Sequence, residues 1–232
     1  MKKLLFSLAL CLLARAAPAQ DARFNVVSID TGQQQLALFL NDDQGRPFGG
    51  FSSLERWLKA RNKRLVFAVN AGMYHADFSP VGLLVQDGKE KAPLNLDDGV
   101  GNFFLKPNGV FLVGKDGPQV VASPEYAKLA KGVRLATQSG PLLLRNGVIH
   151  PAFHAGSNSR HIRNGGGVVG SKAIFVISNH AVTFHEFAVF FRDTLKCRDA
   201  LYLDGSVSSL FSKELGRNDA AAQLGPILGV VE

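Results

Sequence analysis

The sequence predicts an α+β fold: a single domain with a mixed, largely antiparallel sheet, hairpins and about three packed helices. Three observations predict it. Short apolar runs of strand length recur along the chain. Several end in Asp87-Gly88, Pro107-Asn108-Gly109 or Asn146-Gly147, turns that supply positive φ cheaply and close antiparallel hairpins. Helix-start signals fall between the strands.

Taken in order, the chain opens with an export leader. Lys2 and Lys3 form a basic start, Leu4 to Leu13 an apolar core and Ala17-Pro18-Ala19 a small-residue cleavage site, so residues 1–19 are expected to be removed. The mature domain, 20–232, then belongs in the periplasm or outside the cell. Strands are expected at Phe24–Ile29, Leu36–Leu40, Leu65–Val69, Gly82–Val85, Phe103–Leu105, Val110–Val113, Val133–Ala136, Leu142–Leu144, Ala173–Ile177 and Ala200–Leu203. Ser52-Ser53-Leu54-Glu55 reads as a capping box opening a helix to about Asn62, with Lys59, Arg61, Lys63 and Arg64 as its solvated end. Ser123-Pro124 starts a short helix that Gly132 closes. Thr183-Phe184-His185-Glu186 is a second capping box, and Phe184, Phe187, Ala188, Phe191 and Leu195 make one apolar stripe behind it.

Composition narrows the function classes. With 46% hydrophobic and 19% charged residues, 17 Phe and 24 Gly, the chain has ample material for a core and is neither disordered, collagen-like nor a coiled coil. The formal charge of +7 drops to +4 once Lys2, Lys3 and Arg15 leave with the leader, too little to argue for nucleic acid. No apolar run reaches the roughly 18–20 residues of a transmembrane helix. Loss of Cys11 leaves Cys197, expected to be a buried core thiol. Nothing in the residues sets an oligomeric state.

Four polar stretches beside strands can carry chemistry. Asn70-Ala71-Gly72-Met73-Tyr74-His75 follows a strand, with Gly72 allowing a tight turn and Asn70 offering a donor and an acceptor; the same residues also suit a plain turn. Asn158 to Gly167 packs Arg160, His161, Arg163 and Asn164 before three glycines. An Arg fork with glycine-rich backbone can hold an anion, although a solvated loop has this composition too. Glu186, third in its helix, is either a routine cap or an ionised carboxylate poised at a helix start. Asp204-Gly205-Ser206 ends a strand and either presents a carboxylate in a cleft or caps a turn.

Familiar machines are missing. Gly165 to Gly170 matches G-x-G-x-x-G but precedes a strand, so a dinucleotide site is rejected. Val189 stands where H-E-x-x-H would need its second His, and no G-x-S-x-G occurs. No metal and no cofactor are expected.

In order and spacing, six stretches resemble the phosphodiester glycosidase family: Ala68 to Tyr74, Asn102-Phe103-Phe104, Ser139 to Leu143, His161 to Gly165, Phe184 to Ala188 and Tyr202 to Ser206. The resemblance runs from about Phe24 to Val231. Many members read Asn-Gly-Gly and Asp-Gly-Gly where this chain has Asn70-Ala71-Gly72 and Asp204-Gly205-Ser206, which bears on the sugar pocket. The resemblance implies an exported hydrolase that cleaves a sugar-1-phosphodiester at its glycosidic C1–O bond, with a phosphorylated sugar or glycan as partner. It implies Glu186 and Asp204 as the carboxylate pair and Arg163, helped by the Gly165–Gly167 backbone, as the phosphate clamp. Asn70, Gly72, Asn164, Gly165, Gly205 and Ser206 are the implied substrate contacts. The rivals are a non-catalytic binder of anionic glycans and a metal-assisted phosphodiesterase cutting the P–O bond.

Overall fold

The computed structural model describes residues 21–232, so the predicted leader and Cys11 lie outside the described residues. In chain order the strands are β1 (Phe24–Asp30), β2 (Leu36–Phe39), β3 (Leu65–Asn70), β4 (Leu84–Gln86), β5 (Lys89–Ala92), β6 (Gly109–Gly114), β7 (Gly117–Ala122) and β8 (Leu135–Ser139). They continue with β9 (Leu142–Arg145), β10 (Val148–Ile149), β11 (Asn164–Val169), β12 (Lys172–Ser178), β13 (Asp199–Tyr202), β14 (Leu210–Ser212), β15 (Arg217–Asn218) and β16 (Ile227–Val231). Two α-helices, α1 (Phe51–Lys59) and α2 (Phe184–Val189), join them.

The strands form three antiparallel sheets. The first has the order β1-β12-β11-β13-β9-β10, the second β15-β14-β3-β16-β2 and the third β5-β4-β8-β6-β7. Their apolar faces meet in one central core in which Val27 and Phe175, Val69 and Leu228, and Leu84 and Phe111 stand for the three sheets. Burial of these faces is the main favourable term. Smaller cores lie under α2, where Phe187 and Phe191 are fully buried, and under α1, where Leu54 and Leu58 are. The fold is thus largely antiparallel as expected, and more β than α.

Four local expectations need correction. The Gly165–Gly167 run is not an anion loop but the middle of β11, paired with β12 on one side and β13 on the other. Its glycines answer to packing: a Cβ at Gly167 would sit 2.9 Å from Cys197 Sγ and 3.0 Å from the Phe191 ring. Phe103–Leu105, expected as a strand, lies in a 3-10 turn, Asn102–Phe104, which Asn108 Nδ2 holds by donating to the Phe103 carbonyl at 2.9 Å. Helix α1 starts at Phe51, one residue before the Ser52 expected to cap it, with Gly50 as its N-cap and no side chain capping it. The Ser123 segment is a 3-10 helix, Ser123–Lys128.

The Thr183 box forms as read: Thr183 Oγ1 accepts from the Glu186 N–H at 3.1 Å, and Glu186 Oε2 accepts from the Thr183 N–H at 2.8 Å. After α2 the chain widens into a π turn, Phe190–Thr194, before buried Cys197. Burial pushes that thiol up to about 12, so it is a core residue and no nucleophile.

Candidate active site

Strands β3 and β13 end side by side, and the polar residues beyond them make one cleft. It holds about 490 Å³ and is lined by Met73, Tyr74 and His75 after β3, Asn102 and Phe104 of the 3-10 turn, and Asp204, Gly205 and Ser206 after β13. Among the residues expected to touch substrate, Asp204, Gly205 and Ser206 line it directly.

Asn70 and Asn164 lie beneath, at 2% and 0% exposure. Asn70 Nδ2 donates to the Asp204 carbonyl at 2.6 Å, and its Oδ1 accepts from the Ser209 N–H and from Asn164 Nδ2, each at 2.9 Å. The Asp204 and Leu203 N–H groups donate to the Ala71 and Asn164 carbonyls, both at 3.1 Å. Buried amides satisfied this completely fix geometry. The two Asn side chains therefore hold the Asp204–Ser209 loop and meet no solvent. Gly72 sits below as well. Its N–H donates to Thr137 Oγ1 at 3.1 Å, and a Cβ there would lie 2.2 Å from the Gln138 carbonyl oxygen, so β3 can approach β8 only through glycine.

Asp204 itself is half-buried. Its Oδ1 accepts from the Ser206 N–H at 3.1 Å, while Oδ2 has no donor among the described residues. Burial raises its proton affinity above the usual carboxylate range, against the Ser206 bond that lowers it. The Tyr74 hydroxyl is raised too, first by burial and then by the Asp204 charge, and donates to the Gln223 carbonyl at 2.6 Å. Gly205 is fixed by contact: a Cβ there would fall 1.6 Å from Tyr202 Oη, so no side chain fits between this loop and the buried Tyr202.

Arg163 and Glu186 stand elsewhere. Arg163 is 1% exposed, with Nε on the Val182 carbonyl at 2.9 Å, Nη2 on the Ser159 carbonyl at 3.0 Å and its guanidinium 3.6 Å from the centre of the Phe184 ring. Nε and Nη2 are thus committed to carbonyls and the guanidinium plane lies on a ring, in a position buried from solvent. Desolvation lowers its pKa, partly offset by Tyr202. Glu186 carries the Thr183 cap and takes Arg160 Nη1 and Nη2 at 2.9 and 3.1 Å. The Thr183 N–H is the main reason its carboxyl lies below the usual range. Neither residue lines the Asp204 cleft, and Gly165 spends its backbone in the β11 ladder.

Tyr74, His75, Asn102 and Phe104 are cleft residues to which the sequence assigned no role. Tyr74 and His75 belong to a polar stretch singled out in the sequence, and Asn102 and Phe104 to one that carries the family resemblance. Among the described residues no three His, Cys, Asp or Glu side chains gather in a metal-binding group, and no helix is long and apolar enough to cross a membrane.

Comparison with known proteins identifies the family. The phosphodiester glycosidase family model matches residues 63–231, which include both strand ends of the cleft. The uncharacterized protein YigE of Escherichia coli K12 is 33% identical over 187 residues, spanning 80% of this chain and 73% of that protein. Among solved structures, the catalytic domain of zebrafish N-acetylglucosamine-1-phosphodiester alpha-N-acetylglucosaminidase, auto-inhibited by its pro-peptide, superposes with a TM-score of 0.59 at 15% identity over 91% of this chain and 84% of that one. A hypothetical protein from Synechocystis gives 0.59 at 16% identity over 90% of this chain and 59% of its own. At those identities the structural likeness speaks for the fold, and the family follows from the sequence match. The chain belongs to the phosphodiester glycosidase family.

Proposed function

We infer that the protein is an exported hydrolase that cleaves a sugar-1-phosphodiester at its C1–O bond, and that Asp204 is the carboxylate facing the reacting carbon. Family membership supports a hydrolase of glycosidic or phosphodiester bonds. The observation that carries the finer reading is the state of Asp204: half-buried at the wall of the cleft, with one oxygen held by the Ser206 N–H.

As the bond breaks, positive charge builds on the sugar ring and the electron pair leaves with the phosphate. Asp204, once ionised, stabilises that charge and accepts the proton of the attacking water. The water oxygen ends on C1, and the phosphate departs as a monoester. Its raised proton affinity makes Asp204 a stronger base than an exposed carboxylate. Phosphate is a good leaving group, so no proton donor is required. Asn102, His75 and Ser206 supply the polar lining for substrate oxygens.

Hydrolysis of a sugar-1-phosphodiester in ¹⁸O-water, with and without chelator, tests the reading. Label in the sugar, independent of chelator, is the expected result. Label in phosphate, with loss of turnover in chelator, supports a metal-assisted P–O cleavage instead. No turnover on a broad substrate panel supports a glycan-binding protein.

A further inference from the structure

Behind the turn that walls the Asp204 cleft lies a second and larger depression of about 780 Å³, which the proposed reaction leaves unused. The two share one partition. Tyr74 and His75 line the first, while Asp77, Phe78, Ser79 and Pro80 line the second. The partition is stiff: the His75 and Phe78 N–H groups donate to the Ser79 and His75 carbonyls, each at 2.8 Å. Asp77 Oδ1 accepts from the Ser79 N–H at 3.0 Å and from its hydroxyl at 2.5 Å.

Phe78 is out of place there on backbone grounds. Its φ is +68°, the left-handed region, and it is the one aromatic among the described non-glycine residues with positive φ. A bulky side chain in that region costs roughly 1–2 kcal/mol, which glycine would avoid. What Phe78 supplies in exchange is a flat ring. It lies 5.7 Å from the Tyr74 ring and within 9° of parallel to it, and Phe78 remains half-buried instead of joining the core. Around it in the depression, the Asn41 and Gln86 amides, the Asp87 carboxylate and the Lys89 ammonium make no side-chain hydrogen bond or ion pair within the described chain. Asp42 and Asp43 are already taken by Arg46 and Arg61.

An aromatic face rimmed by unengaged donors and acceptors is complementary to a pyranose, whose C–H face packs on the ring while its hydroxyls reach the rim. We propose that this depression is a second sugar-binding subsite with Phe78 as its platform. Resting on the function proposed above, this narrows the substrate class to an oligo- or polysaccharide bearing the phosphodiester, with the glycan continuing across the Tyr74–Phe78 ridge.

The test separates this subsite from catalysis by using neutral oligosaccharides, which carry no scissile phosphodiester. The mature chain is titrated calorimetrically with tetramers of N-acetylglucosamine, glucose and mannose. At least one tetramer should bind, and Phe78→Gly should weaken it by roughly 3- to 10-fold, the scale of one lost aromatic contact. Phe78→Gly should also melt at or above the wild-type temperature, since glycine relieves the left-handed backbone. Phe78→Leu, which keeps bulk but not the flat face, should lose binding likewise, and Phe78→Trp should keep it. Absence of binding by all three tetramers overturns the proposal, as does equal binding by wild type, Phe78→Gly and Phe78→Leu. If Phe78→Gly unfolds, the ring is a structural prop, and Phe78→Leu alone decides. Tetramer binding without ¹⁸O incorporation would leave the subsite standing and remove the hydrolase reading; hydrolysis without tetramer binding would do the reverse.

Discussion

Asp204 and Glu186 are both carboxylates at the first turn after a strand or loop, and their surroundings push them in opposite directions. Glu186 accepts from the Thr183 N–H and from two nitrogens of Arg160, and its proton affinity falls. Asp204 accepts one N–H, is desolvated, and its proton affinity rises. A carboxylate saturated with donors has little left to offer a reacting group. One that is buried and under-satisfied beside a cleft has both a free oxygen and a reason to take a proton. Both are carboxylates at the start of a helical turn, and burial together with the count of donors tells them apart.

The contrast is broken most directly by neutralising each in turn. Asp204→Asn keeps an acceptor for the Ser206 N–H, so it should fold normally yet lose about 100-fold or more in turnover of a sugar-1-phosphodiester. Glu186→Gln, measured alongside, should hold turnover near wild type and lose about 1 kcal/mol of stability at most, because Gln still serves a capping box and the Arg160 pair is partly solvated. Equal losses of turnover in the two variants would erase the distinction.

A second variant sharpens the geometric half of the argument. Gly205→Ala places a methyl on Tyr202 Oη and must push the Asp204 loop outward. Overpacking of this kind costs about 1–3 kcal/mol. Turnover should fall by roughly 10-fold or more from the misplaced carboxylate, and Gly205→Ala combined with Tyr202→Phe should recover part of the stability. Thermal melts and steady-state kinetics on the same preparations check both.

The smallest effect is in the pH dependence of stability. The folded chain holds the Asp204 proton more tightly than the unfolded chain does. Stability therefore falls as pH rises from the ordinary Asp range through the raised Asp204 value. Glu186 has the opposite sign: its contribution is complete above the ordinary Glu range and is lost as pH falls through its lowered value. Urea midpoints followed from about pH 3 to about pH 8 should show Asp204→Asn removing the downward slope and Glu186→Gln the upward one.

These differences also mark where the sequence stops being legible. Strands β1, β3 and β12 stand out as apolar runs because their side chains carry the pattern. β11 does not, because Asn164-Gly165-Gly166-Gly167 has almost no side chains to pattern. The reason for its glycines lies far along the chain, in Phe187, Phe191 and Cys197 pressing on it. β16 is also hard to read, because Gly229 interrupts the short apolar run Ile227–Val231. Asp204 and Asn70 were visible as polar residues at strand ends. That Arg163 faces inward was not, since the carbonyls of Val182 and Ser159 and the ring of Phe184 that occupy it come together only in the fold.

The Asn70–Asn164 clasp has a consequence for affinity. The Asp204–Ser209 loop is tied at one end by the Asn70 amide on the Asp204 carbonyl and at the other by the Ser209 N–H on Asn70 Oδ1. A loop anchored at both ends by buried hydrogen bonds needs little further ordering when a molecule binds beside it. Immobilising rotamer-rich side chains and free loops on binding takes about 0.5–1.5 kcal/mol per residue, and that penalty is removed in advance by two buried asparagines. Entropy forgone at folding is then not lost again on binding, so a ligand in the cleft keeps more of its contact energy as affinity.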